Sequence, residues 1–303
     1  MVDSTANSES SLGKIVTLKS DNLLLSINLN GGDIIDAKLL KVMKEQGKDE
    51  PFHLLMTNNL FIYQAQSGAV GKDGPDSKVR PVYTATATNY ELQDGEDSVS
   101  ASLVYEENGV TYTKTYTLDR NYKVDNHSDK PVQMSFYSQL KQTEDISSLQ
   151  KDDSSFAMVA SAYRGTAYSS DDSRYEKITL ENIIDEKHAD INTKTGWVAM
   201  IQHYFVSAWI GDENAKGNII YSQAANNDTA AIIGIRTDNT SIDAGTSYDF
   251  NSKLWIGPKD QEAMAAIADN LDLTVDYGWL WFISIPLFKI LSFFHSLIGN
   301  WGF

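Results

Sequence analysis

The chain has 303 residues, 42% hydrophobic and 11% aromatic, enough to bury a sizeable core in one β-rich domain. Its formal charge of −16, from 41 acidic and 25 basic residues, argues against nucleic acid, because phosphate contacts need clustered Lys and Arg. The absence of cysteine excludes disulfides, thiolate metal sites and cysteine nucleophiles.

Residues 1–11 are rich in Ser, Asn and Glu and read as a disordered linker, and the start VDSTANSES after Met1 lacks the basic and apolar runs of a signal peptide. A β domain is expected over 12–257. Strands are predicted at 15–18, 23–29 and 33–40, with a turn at Asn30-Gly31-Gly32, and the pattern continues at 61–63. Residues 67–81 (SGAVGKDGPDSKVRP) read as a Gly and Pro loop that offers no core residues. The clearest hairpin follows. Val99, Ala101, Leu103 and Tyr105 share one face, Asn108-Gly109 turns the chain, and Val110, Tyr112 and Tyr116 resume the period of two.

Further on, 141–154 read as a polar connection, 156–162 as a strand, 169–174 (SSDDSR) as a surface turn and 181–187 as a short helical piece. Residues 196–210 (GWVAMIQHYFVSAWI) are apolar nearly throughout, which suits two adjoining strands buried on both faces, or a bend between them. Strands are predicted again at 218–223, 230–237 and 248–256. A helix is expected over 258–272: Pro258 takes its first position, Asp260 and Glu262 its first turn, and Met264, Ile267, Ala268 and Leu271 recur at i, i+3, i+4, i+7 to pack on the sheets. About fifteen short strands with one late helix predict a mostly β fold, a large antiparallel β-sandwich.

The end of the chain, 273–303, differs from everything before it. On a helical wheel from Ser284, the polar Ser284, Lys289, Ser292, His295, Ser296 and Asn300 fall within an arc of about 160°. Ile285, Leu287, Phe288, Ile290, Leu291, Phe293, Phe294, Leu297 and Ile298 fill most of the rest, and Trp279, Trp281, Phe282 and Trp301 flank this amphipathic helix. Spanning a bilayer, packing into the chain's own core and lying in the membrane interface all remain open. The polar arc and Pro286 at the helix start count against spanning, and the flanking tryptophans favour the interface. Nine large apolar side chains at about 1.5–3 kcal/mol each require a cover for this face.

Motifs for chemistry are sparse. His53, His127, His188, His203 and His295 form no HxH or HExxH pair, so no metal site is predicted. His203 is placed in a predicted strand and read as a structural residue. Glycines 31, 32, 71 and 74 fit turns better than a phosphate loop, and Asp152-Asp153 and Asp171-Asp172 fit solvated turns better than calcium loops. No GxSxG elbow is present, and no cofactor is expected.

Longer blocks carry a resemblance. GKIVTLKSDNLLLSINLNGGDI, FIYQAQSGAVG, YRGTAYSSDDSRYEKI, LWIGPKDQEAMAAIADNLDLTVDYGWLW and HSLIGNWGF together resemble the large periplasmic domain of Gram-negative members of the YidC membrane protein insertase family, from about residue 12 to 303. Residues 119–130 depart from it, being shorter than the strand, turn and strand expected there. The resemblance implies a super-sandwich fold shared with galactose mutarotases, a place on the periplasmic side of the bacterial inner membrane, and a role in helping hydrophobic segments enter that membrane, alone or with the Sec translocon. The implied partners are Sec translocon components, nascent membrane proteins and, through the terminal helix, membrane lipid. It also implies a chain cut at both ends, without the transmembrane core that performs insertion; no enzyme is expected, since spacing gives no histidine a carboxylate partner and fold alone does not carry function. The rival reading is a sugar-binding or aldose-mutarotase-like module.

Overall fold

In the computed structural model, the described residues are 14–45, 47–58, 61–93, 98–117, 120–143, 165–185, 189–226 and 229–275. The expected linker at 1–11, the strand at 156–162 and the terminal helix, with Trp279 to Trp301, lie outside them.

In chain order the strands are β1 (Ile15–Lys19), β2 (Leu23–Asn28), β3 (Asp33–Met43), β4 (Pro51–Thr57), β5 (Ile62–Val70), β6 (Thr84–Ala85), β7 (Asn89–Glu91), β8 (Ala101–Glu107), β9 (Val110–Tyr116) and β10 (Arg120–Asn126). They continue as β11 (Val132–Thr143), β12 (Gly165–Ser169), β13 (Glu176–Ile178), β14 (Asp190–Thr193), β15 (Trp197–Ile201), β16 (Phe205–Ile210), β17 (Asn218–Ala225), β18 (Ala230–Thr237), β19 (Thr240–Ile242) and β20 (Ser247–Pro258). Among the described residues, two short helices, α1 (Leu180–Ile184) and α2 (Gln261–Ile267), join them, with 3-10 turns at Pro75–Ser77 and Leu271–Thr274.

The strands form two sheets. The first runs β14-β17-β18-β11-β5-β4-β3-β2-β1-β7, with β19 also on β11, and the second runs β13-β12-β15-β16-β20-β10-β9-β8-β6. Every pairing is antiparallel except β1 with β7. Between the sheets lies a core in which Val16, Leu18, Ile27, Ile34 and Leu140 of the first meet Leu103, Tyr116, Val198, Met200 and Trp209 of the second. The expected antiparallel sandwich is therefore present, with more strands than the sequence suggested.

Alternation explains most of the agreement. Val16 and Leu18 of β1 and Leu25 and Ile27 of β2 are buried at every second position, which fixes one face inward. Asn108 and Gly109 both have positive φ (52° and 78°), the turn that a two-residue hairpin requires. Residues 196–210 resolve into β15 and β16, buried on both faces: Val198, Met200 and Trp209 enter the central core, while Trp197, Ala199, Ile201, Val206, Ala208 and Ile210 face the other way.

That outer face is covered by the segment after β20. Met264 and Leu271 are fully buried in it, and Ile267 and Ala268 pack against its edge. The local course differs from one continuous helix. Pro258 ends β20, opposite Phe205, and Asp260 is the N-cap, its side chain accepting from the Ala263 N–H at 3.1 Å. The helix stops at Ile267 because Ala268 is extended and Asn270 is left-handed (φ 64°), so Leu271 opens a separate 3-10 turn. No helix among the described residues is long and apolar enough to cross a membrane.

Two further expectations are corrected. Residues 67–81 are not a loop without core residues: β5 extends to Val70, Ala69 is fully buried, and Gly74, Pro75 and Pro81 are buried as well. Residues 141–143 belong to β11 rather than to a polar connection, with Lys141, Gln142 and Thr143 paired to Ile232, Ala231 and Ala230.

Candidate functional site: a clasped strap beside a groove

After β5 the chain turns at Gly71 (φ 118°) and becomes a strap, residues 71–81, that leads from the end of β5 to the turn before β3, where the Gly31 N–H donates to the Pro81 carbonyl. Two side chains clasp it down. Asp76 accepts from the Ala69 N–H (2.9 Å) and from Arg80 (2.5 Å), and its side chain is 1% exposed. Arg80 also donates to Asp33, to the Tyr137 hydroxyl and to the Gly31 carbonyl (3.1 Å). Room for this comes from glycine. A Cβ at Gly31 would collide with the Arg80 guanidinium, and one at Gly68 with the Asp76 carboxylate.

Lys114 joins from the opposite sheet. Although only 2% exposed, it donates to the carbonyls of Gly31 and Ser67, both at 2.6 Å, and lies 5.0 Å from the Tyr83 ring centroid. From Asp33 the hydrogen bonds continue to Gln66 (2.8 Å), from Gln66 to Gln139 (2.8 Å) and from Gln139 to Tyr221 (2.6 Å). Asp33, Asp76, Arg80 and Lys114 balance in formal charge, as buried ions must. Burial pushes the Asp76 carboxyl above its ordinary value, against the pull of Arg80 and Lys114. Burial opposes the Arg80 charge, but Asp33, Tyr137 and Asp76 outweigh it and hold the guanidinium above its usual value.

The strap forms one wall of a groove of about 880 Å³. The end of the β8–β9 hairpin supplies Tyr105, Glu107 and Tyr112, and the turn at 128–132 closes the third side. This volume is within the range of ligand clefts.

The sequence marks residues 67–81 as a connection and Gly31, Gly71 and Gly74 as turn positions, but not the clasp of Asp33, Asp76, Arg80, Lys114 and Tyr137. Lys114 was the available signal, since a lysine in phase with the inward Val110, Tyr112 and Tyr116 implies a buried partner. The histidines also fall differently. His203 sits in the turn between β15 and β16 rather than in a strand, its ring 4.1 Å from that of Tyr204. His53 lies 2.7 Å from Asp36 across β3 and β4, a histidine and carboxylate contact that spacing alone did not reveal.

Two stacked antiparallel sheets of this breadth define a galactose-mutarotase-like super-sandwich. The crystal structure of a galactose mutarotase-like protein from Lactobacillus casei superposes with a TM-score of 0.50 at 11% identity, covering 80% of this chain and 99% of that one. Such identity speaks to the fold alone. The chain belongs to the YidC periplasmic domain family, whose model matches residues 15–290. Similar relatives are the membrane protein insertase YidC of Aeromonas hydrophila, 48% identical over 95% of this chain and 54% of that protein, and that of Buchnera aphidicola, 43% identical over 95% and 56%. The chain thus spans about half the length of the curated relatives it matches.

Proposed function

We infer that this chain is the periplasmic domain of a membrane protein insertase, and that its own role is to bind partners and act as a scaffold at the inner membrane rather than to perform insertion. Family membership over residues 15–290 supports the setting. The observation that carries the local role is one of continuity. Met264 and Leu271 close the outer face of the second sheet, and the sequence continues directly into Trp279, Trp281 and the apolar positions to Trp301. In this reading those residues rest in the outer leaflet and hold the β body beside Sec translocon components and emerging membrane proteins. The acidic excess keeps the remaining surface off anionic headgroups.

Photo-crosslinkers placed across the domain in the whole insertase, in inner-membrane vesicles carrying a stalled nascent chain, test the partner role. Adducts with the nascent chain or translocon subunits are expected. Their absence at every position contradicts the reading.

One observation favours a second reading, a sugar-binding or mutarotase-like module: the His53 and Asp36 contact pairs the two group types that aldose ring opening needs. A mutarotation rate lost on His53→Ala would establish it, and buffer-level rates for both proteins would remove it.

A further inference from the structure

β6 pairs with β8 only at Leu103 and Val104. Just before β6 the chain belongs to the first sheet: Val82 bridges to Asn30, the Tyr83 N–H donates to the Leu29 carbonyl (2.9 Å), and the Gly31 N–H donates to the Pro81 carbonyl (2.8 Å). Residues 105–107 therefore have β9 on one side and, among the described residues, no strand on the other. Because the Asn108-Gly109 turn makes Glu107 and Val110 a hydrogen-bonded pair, alternation points the N–H and C=O of Glu106 at this open edge. An uncovered strand end of this kind is a template for another extended chain.

The groove at this edge has matching side chains. Val79 on the strap and Val82 just after it are 74% and 65% exposed, among the most exposed large apolar residues described. Lys72, Lys78 and Lys130 line the same groove, and none of them is in an ion pair among the described residues. The groove's three acids are Asp73, which accepts the Gln133 N–H at 3.0 Å, Glu107 and Asp129. With Arg80 committed to Asp33 and Asp76, three lysines stand beside three acids, so the groove lacks the acidic excess of a protein of charge −16.

We propose that this groove binds an extended peptide of alternating apolar residues with acidic flanks, which adds as a short strand to the open end of β8. The edge supplies backbone hydrogen bonds, Val79 and Val82 receive apolar side chains, and the lysines receive the flanking carboxylates. This deepens the partner-binding reading and rests on it.

The test uses the full chain and a fluorescein-labelled peptide of about ten residues, alternating Val and Thr between terminal aspartates, followed by fluorescence anisotropy. Binding is expected to weaken at least about tenfold in the Val79→Asp/Val82→Asp variant, and similarly when the terminal aspartates are exchanged for lysines. N-methylation at alternate peptide residues, which blocks edge hydrogen bonds without touching the protein, should abolish binding. No binding of the parent peptide, or equal binding of its N-methylated form, overturns the proposal even if the valine variant fails to fold. Such a failure with the vesicle crosslinks intact removes the groove alone, whereas loss of the crosslinks removes the partner role itself.

Discussion

Arg80 bridges two nearly buried carboxylates, so its removal leaves both Asp33 and Asp76 without the guanidinium. Breaking a buried ion pair from one side costs about 3–5 kcal/mol, and Arg80→Met should lower the urea-unfolding free energy by an amount near the bottom of that range, since Arg80 is itself 27% exposed. Unchanged stability would mean that the clasp does not hold the strap. Asp76 adds a pH signature. Its folded-state value lies above its ordinary 3.8, so the folded form holds the proton more readily than the unfolded chain. Its contribution to stability is fully present below the ordinary value and is lost as pH rises through the raised one. Asp76→Asn should therefore flatten the fall in thermal midpoint on raising pH from about 4 upward, whereas identical slopes would contradict the assignment. In the sequence, Asp76 and Arg80 lay inside a run rich in Gly, Pro and charge that reads as solvated. Nothing local marks the contacts of Arg80 with Asp33 and Tyr137, which are 47 and 57 residues away in the numbering.

Among the elements, those with a clean period were legible and those with mixed faces were not. β1, β2, β8 and β9 alternate, and β15 and β16 are apolar on both faces, so each was visible as a strand. β11, the twelve-residue strand between β5 and β18, was not. Its inward face carries Ser138, which donates to Ser252 of the second sheet (3.1 Å), and the buried Gln142, so polar residues interrupt the apolar pattern. The segment after β20 shows the opposite error. Its apolar spacing is helical through Leu271, yet the backbone breaks at Ala268 and returns Leu271 to the same buried patch by a 3-10 turn. Packing was legible, and the path was not. Met264→Ala should cost about 2–5 kcal/mol, read as a lower midpoint in urea with the strand signal in circular dichroism retained. A negligible change would show that α2 is not a structural cover for the second sheet.

For the molecule as a whole, composition and family point the same way. An acidic β body of this size needs no membrane to bury its own core, and the described residues bury it between and outside two sheets. In the proposed reading, the apolar positions beyond Val275 are where the chain meets lipid. The groove and the open end of β8 were not legible, because an uncovered strand edge exists only once the chain is seen to leave β6 for the first sheet. The central claim is that the residues after Val275 hold the β body at a lipid surface, and liposome flotation of the full chain beside a version ending at Val275 tests it most directly. The full chain should rise with the vesicles while the shortened protein stays below, folded and soluble; equal flotation of the two, or none by the full chain, would contradict it.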